Sequence, residues 1–69
     1  MNEKEEIGKV IRLLRKEKAL TQKDLGEVFN VSRDSVSLWE LGKCMPDIIM
    51  LKRIAEFFDV SADYILGLD

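Results

Sequence analysis

Apolar residues recur along this chain at helical spacing, in short stretches separated by turn formers. Ile7, Val10, Ile11 and Leu14 stand at i, i+3, i+4 and i+7 and predict an amphipathic first helix from about Glu5 to Lys18. Gly8 is a weak point in its first turn, because glycine lowers helix propensity. Thr21 reads as an N-cap, with Asp24 where a capping box carries its acid. It opens a short second helix, Gln22 to Phe29, with Leu25, Val28 and Phe29 facing inward. A third helix runs from Arg33 to Leu41, capped by Ser32 and stopped by Gly42. Pro46 and Asp47 introduce a fourth, Ile48 to Phe58, striped by Ile48, Leu51, Ile54, Ala55 and Phe58. A short fifth begins after Ser61 and ends near Gly67. No stretch alternates as a strand does. The pattern predicts an all-α fold.

Two junctions share one grammar, Phe29-Asn30-Val31-Ser32 and Phe58-Asp59-Val60-Ser61. In each, an aromatic ends a helix and Asn or Asp tolerates the left-handed conformation that turns the chain. Valine then covers the joint and serine caps the next helix. Two tight helix-to-helix turns follow, and the first joins helices 2 and 3 into a helix-turn-helix unit.

Length and composition narrow the function classes. A chain of 69 residues, 46% hydrophobic and 35% charged, fits one small globular domain over residues 1–69. The run Ile48-Ile49-Met50-Leu51 is far short of the roughly 20 apolar residues of a membrane helix. Met-Asn-Glu-Lys-Glu-Glu lacks the apolar core of a signal peptide. The lone Cys44 suits a reducing cytoplasm, where the protein is expected. With no histidine, neither the usual zinc ligand sets nor the commonest general base is available, so no metal, cofactor or enzymatic activity is expected.

The net charge of −2 is discouraging for nucleic-acid binding, but its distribution is not. Residues 44–69 carry Lys52 and Arg53 against five acids, whereas residues 12–23 hold Arg12, Arg15, Lys16, Lys18 and Lys23 against Glu17 alone. From charge alone the basic segment is either a solvated helix face or part of an anion-binding surface.

The stretch T-Q-K-D-L-G-E-V-F-N-V-S-R-D-S-V-S-L-W-E-L-G-K, residues 21–43, closely resembles the phage-repressor (Cro-type, or XRE-type) helix-turn-helix family. The flanks I-R-L-L-R-K-E-K-A-L and M-P-D-I-I-M-L-K-R-I-A-E-F-F-D-V-S-A-D-Y-I-L-G extend the likeness over about residues 7–67. The resemblance implies a compact five-helix, lambda-repressor-like DNA-binding domain. Two positions depart from the family pattern. Gly26 stands where alanine is usual, still permitting close helix approach at some loss of helix propensity, and Asn30 stands where the turn usually has glycine, implying a modestly destabilised version of the fold.

In this family helix 3 enters the major groove and the start of helix 2 meets the backbone. With Val36 at the centre of the buried face, Trp39 and Glu40 lie near the same side, while Asp34, Ser37, Leu38 and Leu41 point outward and Arg33 flanks the first turn. Arg33 has the donor fork that fits guanine, Asp34 can accept from cytosine N4, and Leu38 can cover a thymine methyl. Leu38 and Leu41 read equally as plain exposed leucines or as a protein contact. Base readers are therefore expected among Arg33, Asp34, Ser37 and Leu38. Gln22 and Lys43 match backbone-contacting positions of the family, and Lys23, Ser32 and Ser35 are further phosphate candidates, with Ser32 also a helix cap. Lys16 and Lys18 contribute field. The positions of Arg15 and Glu40 match a family ion pair tying helix 1 to the end of helix 3, with a phosphate contact as the rival role of Arg15.

The expected function is sequence-specific binding of double-stranded DNA by a small transcriptional regulator of repressor type. The resemblance implies a palindromic operator and a homodimer, its surface sought among Ile65, Leu66 and Leu68 with parts of helix 4. Ile65 could equally be core, and Leu68 a frayed tail. With the chain ending just beyond helix 5, self-association should be weak. The alternative is a protein-interaction module on the same fold, an antitoxin or anti-repressor component, which the acidic balance and exposed Leu38 and Leu41 favour.

Overall fold

A computed structural model describes residues 2–68 and contains five helices among them: α1 (Glu3–Glu17), α2 (Gln22–Phe29), α3 (Arg33–Glu40), α4 (Ile48–Phe58) and α5 (Ala62–Leu66). None of them is long and apolar enough to cross a membrane. Each opens on a side-chain cap, which satisfies an amide that the helix cannot. Asn2, Thr21, Ser32, Asp47 and Ser61 accept from the amides of Glu5, Asp24, Ser35, Met50 and Tyr64 at 2.8–3.1 Å. α1 begins two residues earlier than its apolar stripe predicts, because Asn2 caps it and Glu3, Glu5 and Glu6 favour the positive end of the helix dipole.

The five C-termini share one closure. Ala19, Asn30, Gly42, Asp59 and Gly67 all take positive φ, between 55° and 78°. The following amides of Leu20, Val31, Lys43, Val60 and Leu68 reach back to the carbonyls of Arg15, Gly26, Leu38, Ala55 and Asp63 at 2.8–3.1 Å. This left-handed residue followed by a long back-bond is the Schellman arrangement. Asn30 and Asp59 behave as their shared grammar predicts. Ala19 does so without the side-chain or backbone advantage that usually marks such a position.

One apolar core receives all five helices, with Ile11, Leu25, Val36 and Ile54 fully buried at its centre. Phe57 packs edge-on against both Phe29 and Phe58, closing the side next to α2. Two predicted core positions lie outside it. Val28 is exposed because it sits at the rim of the α2 stripe, about 60° around the helix from Leu25. Ile48 is in phase with its stripe but is 85% exposed. It occupies the first turn of α4, overhanging a hollow lined by Ile7, Pro46, Leu51 and Leu66 instead of filling it. Conversely, Ile65 is core, 1% exposed, and is withdrawn from any intermolecular surface.

Two glycines are explained by close approach. A Cβ on Gly8 would lie 2.3 Å from the carbonyl oxygen of Trp39 and 2.8 Å from that of Glu40, so glycine lets α1 rest against the end of α3. A Cβ on Gly26 would come within 2.7 Å of the Val31 carbonyl oxygen. The turn is drawn in over Gly26, and alanine there would have to push backbone away, so Gly26 is more than a loss of helix propensity.

The alanine in the left-handed position gives a direct test. Ala19→Gly removes a Cβ penalty of about 1–2 kcal/mol and loosens the unfolded chain by about 0.4–1 kcal/mol, for a net gain of roughly 0.5–1 kcal/mol. Asn30→Gly should gain less, since Asn tolerates this conformation better. Thermal melting of both variants measures this, and an unchanged or lower midpoint for Ala19→Gly contradicts the strain assignment.

Candidate nucleic-acid interface

α1 and the end of α3 are joined by one polar cluster. Arg15 Nε donates to Glu40 Oε2 at 2.6 Å and Nη2 donates to Oε1 at 2.9 Å, a two-pronged pair with side chains only 10% and 3% exposed. The remaining guanidinium nitrogen, Nη1, donates to the Leu20 carbonyl at 2.7 Å, tying the α1–α2 connection to the same group. Hydrogen bonding to Glu40 raises the Arg15 pKa further, against the opposing effect of burial. Arg15 is therefore structural, with its donors directed inward.

Gln22, the first residue of α2, sends its Nε2 to Glu40 Oε1 at 3.1 Å. Sequence spacing does not reveal this bond, which turns the amide donor toward the pair. At the start of α2 the capping box is complete: Thr21 N–H donates to Asp24 Oδ2 at 3.0 Å, and Asp24 N–H donates to Thr21 Oγ1 at 3.0 Å. The backbone N–H of Thr21 foremost, and then the Thr21 hydroxyl, lower the pKa of the Asp24 carboxyl from its ordinary value.

α3 is thus tied to α1 and α2 through Glu40 at its end, with one side left clear. Arg33 and Asp34 are exposed in its first turn, Leu38 is exposed, and Ser37 is half-buried. Arg33 shares an open hollow with Lys23, Thr21 and Gln22, bringing the start of α3 and the start of α2 together. Ser32 Oγ accepts from the Ser35 amide and lies 3.1 Å from Ser35 Oγ, so one hydroxyl proton is shared between them and the other can point outward. Lys43 closes α3 through its own N–H to Leu38 and leaves its side chain exposed. Lys18 is placed differently, with Nζ 5.5 Å from the Phe57 ring centroid, a packing role on the core side. Arg53 lies over Phe29 and donates to its carbonyl, again structurally.

A model of the helix-turn-helix family matches residues 11–65. The chain belongs to the helix-turn-helix family of phage-repressor type. This helix-turn-helix domain is 43% identical over 62 residues to the HTH-type transcriptional activator BcrR of Enterococcus faecalis, covering 90% of the chain and 30% of the activator. It is 32% identical over 63 residues to the HTH-type transcriptional regulator ImmR of Bacillus subtilis (strain 168), covering 91% of the chain and 50% of ImmR. The chain therefore spans from under a third to half of the length of these curated relatives. A crystal structure of the P22 c2 repressor protein in complex with synthetic operator 9T is similar at a TM-score of 0.84 and 32% identity, covering 91% of this chain and 96% of that one.

Breaking the cluster on one side should be far worse than replacing it whole. Glu40→Ala leaves a buried guanidinium unpaired and should cost about 3–5 kcal/mol, whereas Arg15→Met with Glu40→Leu should recover most of that loss. Urea unfolding of the helix-turn-helix domain reads both. A Glu40→Ala loss below about 1 kcal/mol, the range of an exposed pair, contradicts the buried-pair assignment.

Proposed function

We propose that this domain is the DNA-binding unit of a transcriptional regulator and binds double-stranded DNA sequence-specifically, with α3 in the major groove. The observation that carries the reading is an α3 tied to α1 through Glu40 at its end and capped by Ser32 at its start, with Arg33, Asp34, Ser37 and Leu38 along its clear side. Arg33 reads guanine, Asp34 accepts from cytosine N4, and Leu38 covers a thymine methyl, with Ser37 beside them. Lys23, Lys43, the outward hydroxyl of Ser32 or Ser35, and Gln22 at the start of α2 hold the phosphates. Because its side-chain amide donates to Glu40, Gln22 contributes foremost through its backbone N–H, which points out of the helix start. The likeness to a repressor bound to its operator supports this arrangement. An activator and a repressor are both among the similar proteins, so the domain suits either direction of regulation. A DNA ligand and the lone Cys44 favour action in the cytoplasm.

We further infer a palindromic operator bound by two copies. With Ile65 in the core, the pairing surface shifts to the exposed apolar residues Met45, Ile48, Ile49, Leu66 and Leu68. Met45, Ile48 and Leu66 rim one apolar hollow with Ile7, Pro46 and Leu51, a ready seat for the projecting isoleucine of a second copy.

Arg33→Ala should cost about 1–3 kcal/mol at the operator and relax preference at one base pair. Lys43→Ala should weaken operator and scrambled duplex about equally, since phosphates look alike at every step. Competition titration against both duplexes separates the roles, and equal losses for Arg33→Ala would move it to the backbone. For pairing, Ile48→Glu should abolish concentration-dependent association in sedimentation while leaving the melting midpoint near wild type, because the side chain is already solvent-exposed. Unchanged association would place the contact elsewhere.

A further inference from the structure

We propose that Glu5 of α1 opposes the phosphate contact made at Lys43, holding down the affinity of this face for duplex of any sequence. The inference rests on the DNA-binding reading above and adds to it a residue outside the helix-turn-helix unit that works against binding. One edge of α1 runs along the end of α3. Arg15 is bonded to Glu40, Gly8 lies against the Trp39 and Glu40 carbonyls, and Glu5, one turn nearer the N-terminus, lies against Gly42. A Cβ on Gly42 would come 2.8 Å from Glu5 Cγ, 2.9 Å from its Cα and 3.1 Å from its amide nitrogen. The next residue is Lys43, held in place by its own N–H on the Leu38 carbonyl at 3.0 Å. Glu5 is also pinned, its amide donating to Asn2 Oδ1 at 2.9 Å. The backbones that carry this acid and this base therefore lie side by side.

Both side chains are exposed, and no hydrogen bond or ion pair joins them among the described residues. The acid thus leaves the lysine available while acting on it through its field. A phosphate drawn to Lys43 meets the repulsion of Glu5, and the ammonium, on its flexible stem, is shared between the two anions. The effect carries no sequence information, because phosphates look alike at every step. It weakens every duplex alike, so that occupancy depends more heavily on the base contacts of α3. Glu3 and Glu6 share the first turn of α1 without sharing this place. Glu6 Oε2 would lie 3.8 Å from a Cβ on Gly67, at the end of α5. Glu3 stands roughly 160° around the helix axis from Glu5.

The test is fluorescence anisotropy with a mixed-sequence duplex, titrated by the wild-type chain, Glu5→Gln, Glu3→Gln, Lys43→Ala and the double variant Glu5→Gln with Lys43→Ala. Glu3→Gln makes the same change in net charge and removes an acid from the same helix turn, so it controls for total charge and for the helix dipole. At about 50 mM salt Glu5→Gln should bind roughly 2–5-fold more tightly, a gain that shrinks as salt rises. Glu3→Gln should change affinity by less than about 1.5-fold. In the Lys43→Ala background the gain from Glu5→Gln should also fall below about 1.5-fold, because the ammonium shared between acid and phosphate is gone. Equal effects of Glu5→Gln and Glu3→Gln, or a Glu5→Gln gain undiminished by Lys43→Ala, overturn the role of Glu5 and leave the parent reading standing. A wild-type chain that binds no duplex at about 50 mM salt overturns the DNA-binding reading, and the role of Glu5 with it.

Discussion

The guanidinium of Arg15 joins three parts of the molecule that would otherwise be set independently. Its two bonds to Glu40 fix the end of α3 against α1, and its bond to the Leu20 carbonyl fixes the connection into α2. Gln22 adds a third bond to the same carboxylate from the start of α2. Buried charge is costly unless every donor and acceptor is met, so this cluster admits few alternative geometries. Gly8 makes the geometry reachable: any side chain there would hold α1 away from the Trp39 and Glu40 carbonyls. The placement of α3 follows from these contacts as much as from the core beneath it.

A domain of this size buries a limited core, and helix ends are a large share of its backbone. The chain meets that constraint by capping each of its five described helices at both ends, with a side chain at the N-terminus and a left-handed residue at the C-terminus. The connections are correspondingly short. The short turn between α2 and α3 sets the angle between the helix that carries Gln22 and Lys23 and the helix that carries Arg33 and Asp34.

Much of this was legible in the residues. The caps Thr21, Ser32 and Ser61, the left-handed Asn30 and Asp59, and the Arg15–Glu40 pair implied by family resemblance are all where expected. Local chemistry announces such features, since few residue types do those jobs. What was hidden depends on neighbours distant in sequence. Ala19 carries no mark of positive φ, and only the bond from Leu20 to Arg15 requires it. Ile48 keeps the period of its helix, but periodicity does not say how far the core extends beneath the first turn. Gly8 reads as a loss of helix propensity until the opposing carbonyls are seen. The inward donor of Gln22 and the place of Arg12 beside Ser37 and Leu41 likewise emerge only once α1 lies against α3.

The central claim is that the face bearing the α2 start and the outer side of α3 meets duplex DNA while the α4–α5 side does not. Amide NMR shifts of the chain titrated with duplex DNA test it most directly. The account predicts perturbations concentrated at Gln22, Lys23, residues 32–38 and Lys43, with the amides of Ile54, Phe58 and Ile65 nearly unmoved. Perturbations centred on α4 and α5, with Arg33 and Asp34 unaffected, would contradict it.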